Sequence, residues 1–145
     1  MLIGLDPLLS ADLLWVLAGM GHGDDLALVD ANHPAEAIAR ATVSGRLVHL
    51  PGVRTERVAR AILSVLPVDD FEPDPVRRME VVGDPAALPP VQRVVAEAIG
   101  RPMAGIARHA FYAAARRAFA VVQAGDPRPY GCFLIRKGVV AGEPD

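Results

Sequence analysis

The side chains best suited to chemistry stand on either side of one short apolar run. Gly19-Met20-Gly21-His22-Gly23-Asp24-Asp25 precedes Leu26-Ala27-Leu28-Val29, and Asp30-Ala31-Asn32-His33-Pro34 follows it. Three chemistries compete for these residues. The spaced glycines resemble a dinucleotide-binding loop, but that fingerprint follows a strand and opens a helix, whereas these glycines follow a helical pattern and precede a strand-like run. His22, Asp24, Asp25, Asp30 and His33 have the residue types of a metal site, as a metal-dependent hydrolase would use, yet His-x-Asp-Asp has no distinctive ligand spacing. The third chemistry is metal-free general acid/base work by His22, with Asp30 or a neighbour orienting it, because imidazole both gives and takes a proton near neutrality. Against all three stands a plain cluster of caps and turns.

A second group lies in the C-terminal third: Arg108-His109-Ala110-Phe111-Tyr112, then Tyr130-Gly131-Cys132. Arg108 ends a short strand and stands just before a helix, where a guanidinium reaches a ligand at a sheet edge. Tyr130 offers a flat apolar face with a hydroxyl, which suits a sugar ring, and Tyr112 is a further candidate. Cys132 has no His or Lys beside it in sequence, which favours an inert small residue over a nucleophile. His49 falls within a strand-like run and reads as structural. Phe111 and Phe119 read as packing.

Alternating elements must position these groups. Ser10 or Asp12 can cap a helix with Leu13, Leu14, Val16, Leu17 and Met20 on one stripe. A buried strand over 26–29, a helix over 34–41, a strand over 46–50 and an amphipathic helix over 55–66 follow. Pro67 ends that helix, and residues 67–75 form the longest loop. Further along are a strand over 77–82, a helix from 89 or 91 to 99, a strand over 103–107 and a helix over 110–117. Strands over 118–123 and 133–136 close the chain, joined by a turn containing Gly125-Asp126-Pro127 and Pro129. The pattern predicts a single-domain three-layer α/β/α sandwich over residues 1–145, with a mainly parallel central sheet. A four- or five-residue strand spans about 15 Å, so His22 and Asp30 need not meet within one subunit.

Composition bounds the remaining choices. The chain has 145 residues, 52% of them apolar, with a net charge of −2. That length suits one domain, and the near-neutral balance gives no attraction to nucleic acid. Apolar stretches are broken well before the roughly 18–20 residues needed to cross a bilayer. The lone cysteine excludes an intrachain disulfide framework. Without a basic leader and cleavage site at the N-terminus, a cytoplasmic location is the default expectation. Five of the seven aromatics, Phe111, Tyr112, Phe119, Tyr130 and Phe133, crowd the C-terminal third, and Ala, Leu and Val supply most of the other apolar residues.

Taken together, Gly21-His22-Gly23-Asp24, Asp30-Ala31 with Pro34, Arg108-x-Ala110-Phe111-Tyr112, Tyr130-Gly131 and the closing Arg136-Lys137-Gly138-Val139 resemble the L-fucose mutarotase and D-ribose pyranase family. The motifs run in register over nearly the whole chain, and Arg108 and Gly23 resemble the fucose branch. The resemblance implies interconversion of anomers or ring forms of a free monosaccharide without metal or cofactor. It implies His22 as the catalytic residue and Asp30, Arg108, Tyr130, Gly131 and Cys132 as sugar-binding. It further implies a ring-like homodecamer with sites assembled between subunits, so that an isolated monomer is expected to be neither stable nor active.

Two departures bear on that expectation. Cys132 stands where the family usually has Asn, exchanging amide donors and an acceptor for a weak thiol. Asn32-His33 replaces the His-Phe of the fucose branch, so His33 is not carried over as catalytic. A non-catalytic sugar-binding or regulatory protein that keeps the pocket is therefore the alternative expectation.

Overall fold

Period-two alternation along the strands divides their apolar residues between two faces, and each face needs its own helical cover. The structure, a computed structural model, describes residues 1–142. In chain order it contains α1 (Ala11–Gly19), β1 (Asp25–Val29), α2 (Ala35–Ala41), β2 (Leu47–Leu50), α3 (Thr55–Leu63), β3 (Val76–Met79), α4 (Pro90–Ile99), β4 (Ala104–Ile106), α5 (Arg108–Arg116), β5 (Ala120–Ala124) and β6 (Phe133–Arg136). Every element expected from the sequence is present in its expected place. The sheet order is β2-β5-β1-β6-β3-β4. Only β6 runs against its neighbours, β1 and β3; the other pairings are parallel.

Leu26 and Leu28 of β1, with Ala120, Val122, Phe133 and Ile135, face α1, α3 and α4 through Leu13, Val16, Val58, Ile62, Val91 and Val95. Ala27, Val29, Val121 and Leu134 point the other way, onto Ala35, Ile38 and Ala39 of α2 and Phe111 and Ala115 of α5. This is the three-layer sandwich, with the second face packed by smaller side chains. No helix among the described residues is long and apolar enough to cross a membrane.

Several boundaries differ from the sequence expectation. Ser10 is the cap of α1, accepting from Leu13 N at 3.3 Å. The third helix stops at Leu63 rather than residue 66, where Ser64 turns its hydroxyl back to the Ala61 carbonyl at 2.6 Å. The third strand ends at Met79 because Val81 bridges Asp84 in a turn of its own. Arg108 opens α5 rather than ending a strand. The last two strands are not paired with each other: β1 lies between them.

The turn between β5 and β6 is stapled to α3 by a buried carboxylate. Asp126 Oδ2 accepts from Thr55 N and Thr55 Oγ1, both at 3.0 Å, and its Oδ1 accepts from Arg128 Nε at 2.9 Å. Burial opposes ionisation, but the hydrogen bonds from Arg128 and Thr55 outweigh it and hold the carboxyl below the ordinary aspartate range. Such a group stabilises the fold above its unfolded pKa near 3.8 and loses that contribution as pH falls. Asp126→Ala, which removes the acceptor of the Thr55 amide and hydroxyl and leaves Arg128 with Glu56 alone, is expected to cost about 1–3 kcal/mol in urea unfolding at pH 7. The gap between wild type and variant should narrow below pH 4.

Candidate functional site

Because β6 is antiparallel, its first residues lie at the same sheet edge as the last residues of β1, β3 and β4. Carboxyl ends of parallel strands are where α/β sheets receive ligands. Asp30 follows β1, Met79 ends β3, Arg108 comes two residues after β4, and Tyr130-Gly131-Cys132 leads into β6. Asp30, Met79, Arg108, Tyr130 and Cys132 line a cavity of about 260 Å³ with Asn32, His33, Tyr112 and Pro129.

Asp30 ties the edge together. Its Oδ1 accepts from Asn32 N at 2.9 Å and His33 N at 3.1 Å, closing the turn into α2. Its Oδ2 accepts from Gly131 N at 2.9 Å and the Cys132 thiol at 3.5 Å. A Cβ on residue 131 would come within 3.2 Å of both Asp30 Cβ and Val91 Cγ2, so glycine permits this approach. Only 3% of Asp30 is exposed. Burial pushes its pKa above the ordinary value despite the four donors.

The Tyr130 backbone lies in the left-handed region, with φ at 64°. A fully buried amide holds it there, for Gln92 Nε2 donates to the Tyr130 carbonyl at 3.1 Å and to the Met79 carbonyl at 2.7 Å. The Tyr130 hydroxyl accepts from Val82 N at 3.3 Å, so its ring is pinned at both ends. Arg108 is exposed at the start of α5 and also lines a neighbouring cavity of about 350 Å³ with Glu80, Val82, Pro85 and His109.

His33 is buried beside the cavity against the rings of Phe111 and Tyr112, at centroid distances of 5.9 and 5.4 Å. Its Nδ1 is 3.6 Å from Cys132 Sγ. With Asp30 ionised, the thiol proton points to that carboxylate, so the sulfur accepts from His33 Nδ1–H. Desolvation, then the Arg116 charge, lowers the His33 pKa to about 4. Burial likewise pushes the Cys132 thiol well up, which makes it a neutral donor and a poor nucleophile.

His22 is elsewhere. It precedes β1 at the opposite sheet edge, on a loop where Gly23 takes a φ of 87°, and its Nε2 is 3.1 Å from Asp69 Oδ1. Phe71 presents its ring edge-on at 5.2 Å. His22 and Asp24 are thus separated from Asp30 and His33 by the length of β1. Among the described residues no cluster of three or more His, Cys, Asp or Glu side chains is placed to hold a metal ion. The glycine run follows α1 and precedes β1, the reverse of a dinucleotide loop.

This arrangement, a cavity at the carboxyl edge and an exposed histidine at the other, sits on a chain whose residues 3–140 match the model of the RbsD / FucU transport protein family. The chain belongs to that family. The fucose mutarotase of Bos taurus is 36% identical over 145 residues, covering 95% of this chain and 94% of that protein. Among solved structures, protein Atu2016 aligns with a TM-score of 0.91 and 47% identity over 97% of each chain. The fucose mutarotase of Streptococcus pneumoniae in complex with L-fucose aligns at 0.86 with 29% identity, over 97% of this chain and 100% of that one.

Within this RbsD / FucU fold, Asp30, Arg108, Tyr130, Cys132 and Tyr112 share one cavity, and Gly131 serves it through its backbone. His49, read as structural, is exposed on the edge strand β2. Sequence reading missed Gln92 and Asp69, which are buried polar residues outside any motif, and it set His33 aside. The one signal for His33 was its place three residues after Asp30, the spacing of a carboxylate that caps its own turn.

A neutral His33 makes stability depend on pH with a known sign. The unfolded side chain binds its proton near pH 6.5 and the folded one only near 4, so stability held above pH 6.5 is lost as pH falls toward 4. The loss attributable to this residue should reach about 3 kcal/mol. Asp30 works in the opposite sense, its raised pKa favouring the fold at low pH, so the comparison must be with a His33→Gln variant. The wild-type-minus-variant difference in urea unfolding should decline between pH 7 and pH 4; a flat difference excludes a buried neutral imidazole.

Proposed function

We propose that this chain is a monosaccharide mutarotase, interconverting the anomers or ring forms of a free sugar such as L-fucose, with no cofactor. The observation that carries this reading is the convergence of Asp30, Arg108, Tyr130 and Cys132 on one cavity in a chain whose relatives include fucose mutarotases. Asp30 accepts from sugar hydroxyls, Arg108 donates to them, and Tyr130 supplies a ring face. Ring opening takes the proton from the anomeric hydroxyl, forms the C1 carbonyl, breaks the bond from C1 to the ring oxygen and protonates that oxygen. Reclosure on the other face of the carbonyl reverses these transfers. His22, whose Nε2 faces Asp69 and whose other ring nitrogen makes no hydrogen bond among the described residues, is the base, and the proton returns through it or through a tyrosine hydroxyl or water.

His22 and the cavity sit at opposite ends of β1, and a homo-oligomer with sites between subunits removes that separation. A cytoplasmic homodecamer of one mutarotase-like domain is the specific assembly proposed, to be checked by light scattering. NMR saturation transfer between anomers of L-fucose, D-ribose and other free aldoses tests the activity. Acceleration of at least one sugar is expected, while calorimetric binding without exchange would identify a non-catalytic sugar-binding protein. His22→Ala should keep the assembly and lose exchange by about 10²–10⁴-fold. Arg108→Ala should raise the half-saturating sugar concentration about tenfold or more, the loss of one charge-assisted hydrogen bond.

A further inference from the structure

We infer that Asp69 is the positioning residue for His22: it holds the imidazole by Nε2 and thereby presents Nδ1 to the substrate as the base. The inference rests on the mutarotase reading and adds a residue that no sequence motif contains. Asp69 lies in the 67–75 loop with its side chain wholly buried, although Asp70 beside it is exposed. Its Oδ1 accepts from Phe71 N and faces His22 Nε2, each at 3.1 Å, and its Oδ2 accepts from Glu72 N at 3.4 Å. Arg136 Nη1 is 3.8 Å from that second oxygen. An ionised carboxylate accepts only. Neutral His22 must therefore carry its proton on Nε2, and Nδ1, which makes no hydrogen bond among the described residues, keeps its lone pair.

The frame around this pair is rigid in a way that ordinary loop packing does not require. The chain beyond β6 is threaded between the two loops: Gly23 N donates to the Lys137 carbonyl and Lys137 N to the Asp24 carbonyl, both at 2.9 Å. On its other side Asp69 N donates to the Arg136 carbonyl at 3.0 Å, Gly138 N donates to the Pro67 carbonyl at 2.8 Å, and Val68 bridges Lys137. A Cβ on residue 138 would stand 2.7 Å from the Val68 carbonyl oxygen and 2.9 Å from Asp69 Cα, so only glycine lets the loop seat. Lys137 Nζ also donates to the Leu17 carbonyl at 3.2 Å, fixing the end of α1 from which the His22 loop departs. The Arg136-Lys137-Gly138 segment thus acquires a purpose: it sets the distance between Asp69 and His22. The His22 side chain stays 48% exposed, open to a substrate on its far side.

Asp69→Asn in the full-length assembled protein is the test. The amide cannot accept from every present donor at once, so one oxygen position becomes an N–H that faces either Arg136 or His22 Nε2. Turnover in the anomer-exchange assay should fall about 10²-fold with the half-saturating concentration changed less than about threefold. Nitrogen-15 NMR of wild-type His22 should show the Nε2-protonated tautomer, a readout that stands even if the variant fails to assemble. Unchanged turnover in an assembled Asp69→Asn protein, or an Nδ1-protonated wild-type tautomer, overturns the inference. A wild type that exchanges no sugar instead overturns the mutarotase reading on which it rests.

Discussion

The arrangement of the cavity depends on one buried carboxylate accepting four hydrogen bonds. Asp30 joins the end of β1 to the start of α2 through Oδ1 and to the start of β6 through Oδ2. Four donors offset part of what burial costs, and each of them belongs to a residue at or beside the cavity. Asn32 and His33 are held by their amides, Gly131 by close backbone approach and Cys132 by its thiol. Desolvation still outweighs those bonds and holds the Asp30 pKa above its ordinary value. A side chain assigned to sugar binding is therefore also the one that keeps the binding surface in shape.

Strand direction decides what else reaches that surface. Inserting β6 antiparallel between β1 and β3 brings Tyr130 to the edge where the parallel strands end, and carries Arg136, Lys137 and Gly138 to the opposite edge. The same strand thus builds the cavity with its first residues and the Asp69–His22 frame with its last. Neither edge is complete chemistry alone: one has hydrogen-bond groups and a ring face, the other a histidine of set tautomer. The assembly proposed above, with sites between copies of the chain, would join the two without bending either.

Most elements were legible because their signals are local. Leu13, Val16 and Leu17 at helical spacing, Val58 and Ile62 likewise, and Leu26-Ala27-Leu28-Val29 between aspartates each announce an element without help from distant residues. Of the candidate site, Asp30, Arg108 and Tyr130 were legible by residue type and by resemblance. Asp69 was not, because an aspartate in a proline-bearing loop looks like any solvated turn until the β6 tail buries it. Gln92 was hidden for the same reason, lying on a helix whose polar residues ordinarily face solvent. Strand order was equally silent: a turn between two final strands suggests a hairpin, and nothing local says that β1 lies between them.

Cys132, where the family resemblance leads to an expectation of asparagine, sets the chemistry of the cavity floor. An asparagine there would bring an amide with two donors and an acceptor to the cavity floor. The thiol has one weak proton, and Asp30 takes it, leaving a polarizable sulfur that accepts from His33 Nδ1. The floor therefore offers a ligand less hydrogen bonding from residue 132 and more apolar contact, since Phe111 and Tyr112 pack behind His33. Sugar hydroxyls directed at this wall lose a partner, whereas carbon-bound hydrogen or a methyl group loses nothing. Because the thiol is buried and its pKa raised, it stays a neutral hydrogen-bond donor at physiological pH. Under the proposed function, residue 132 therefore bears on sugar preference, while the hydrogen bonds of Asp30 to Asn32, His33 and Gly131 do not depend on its side chain.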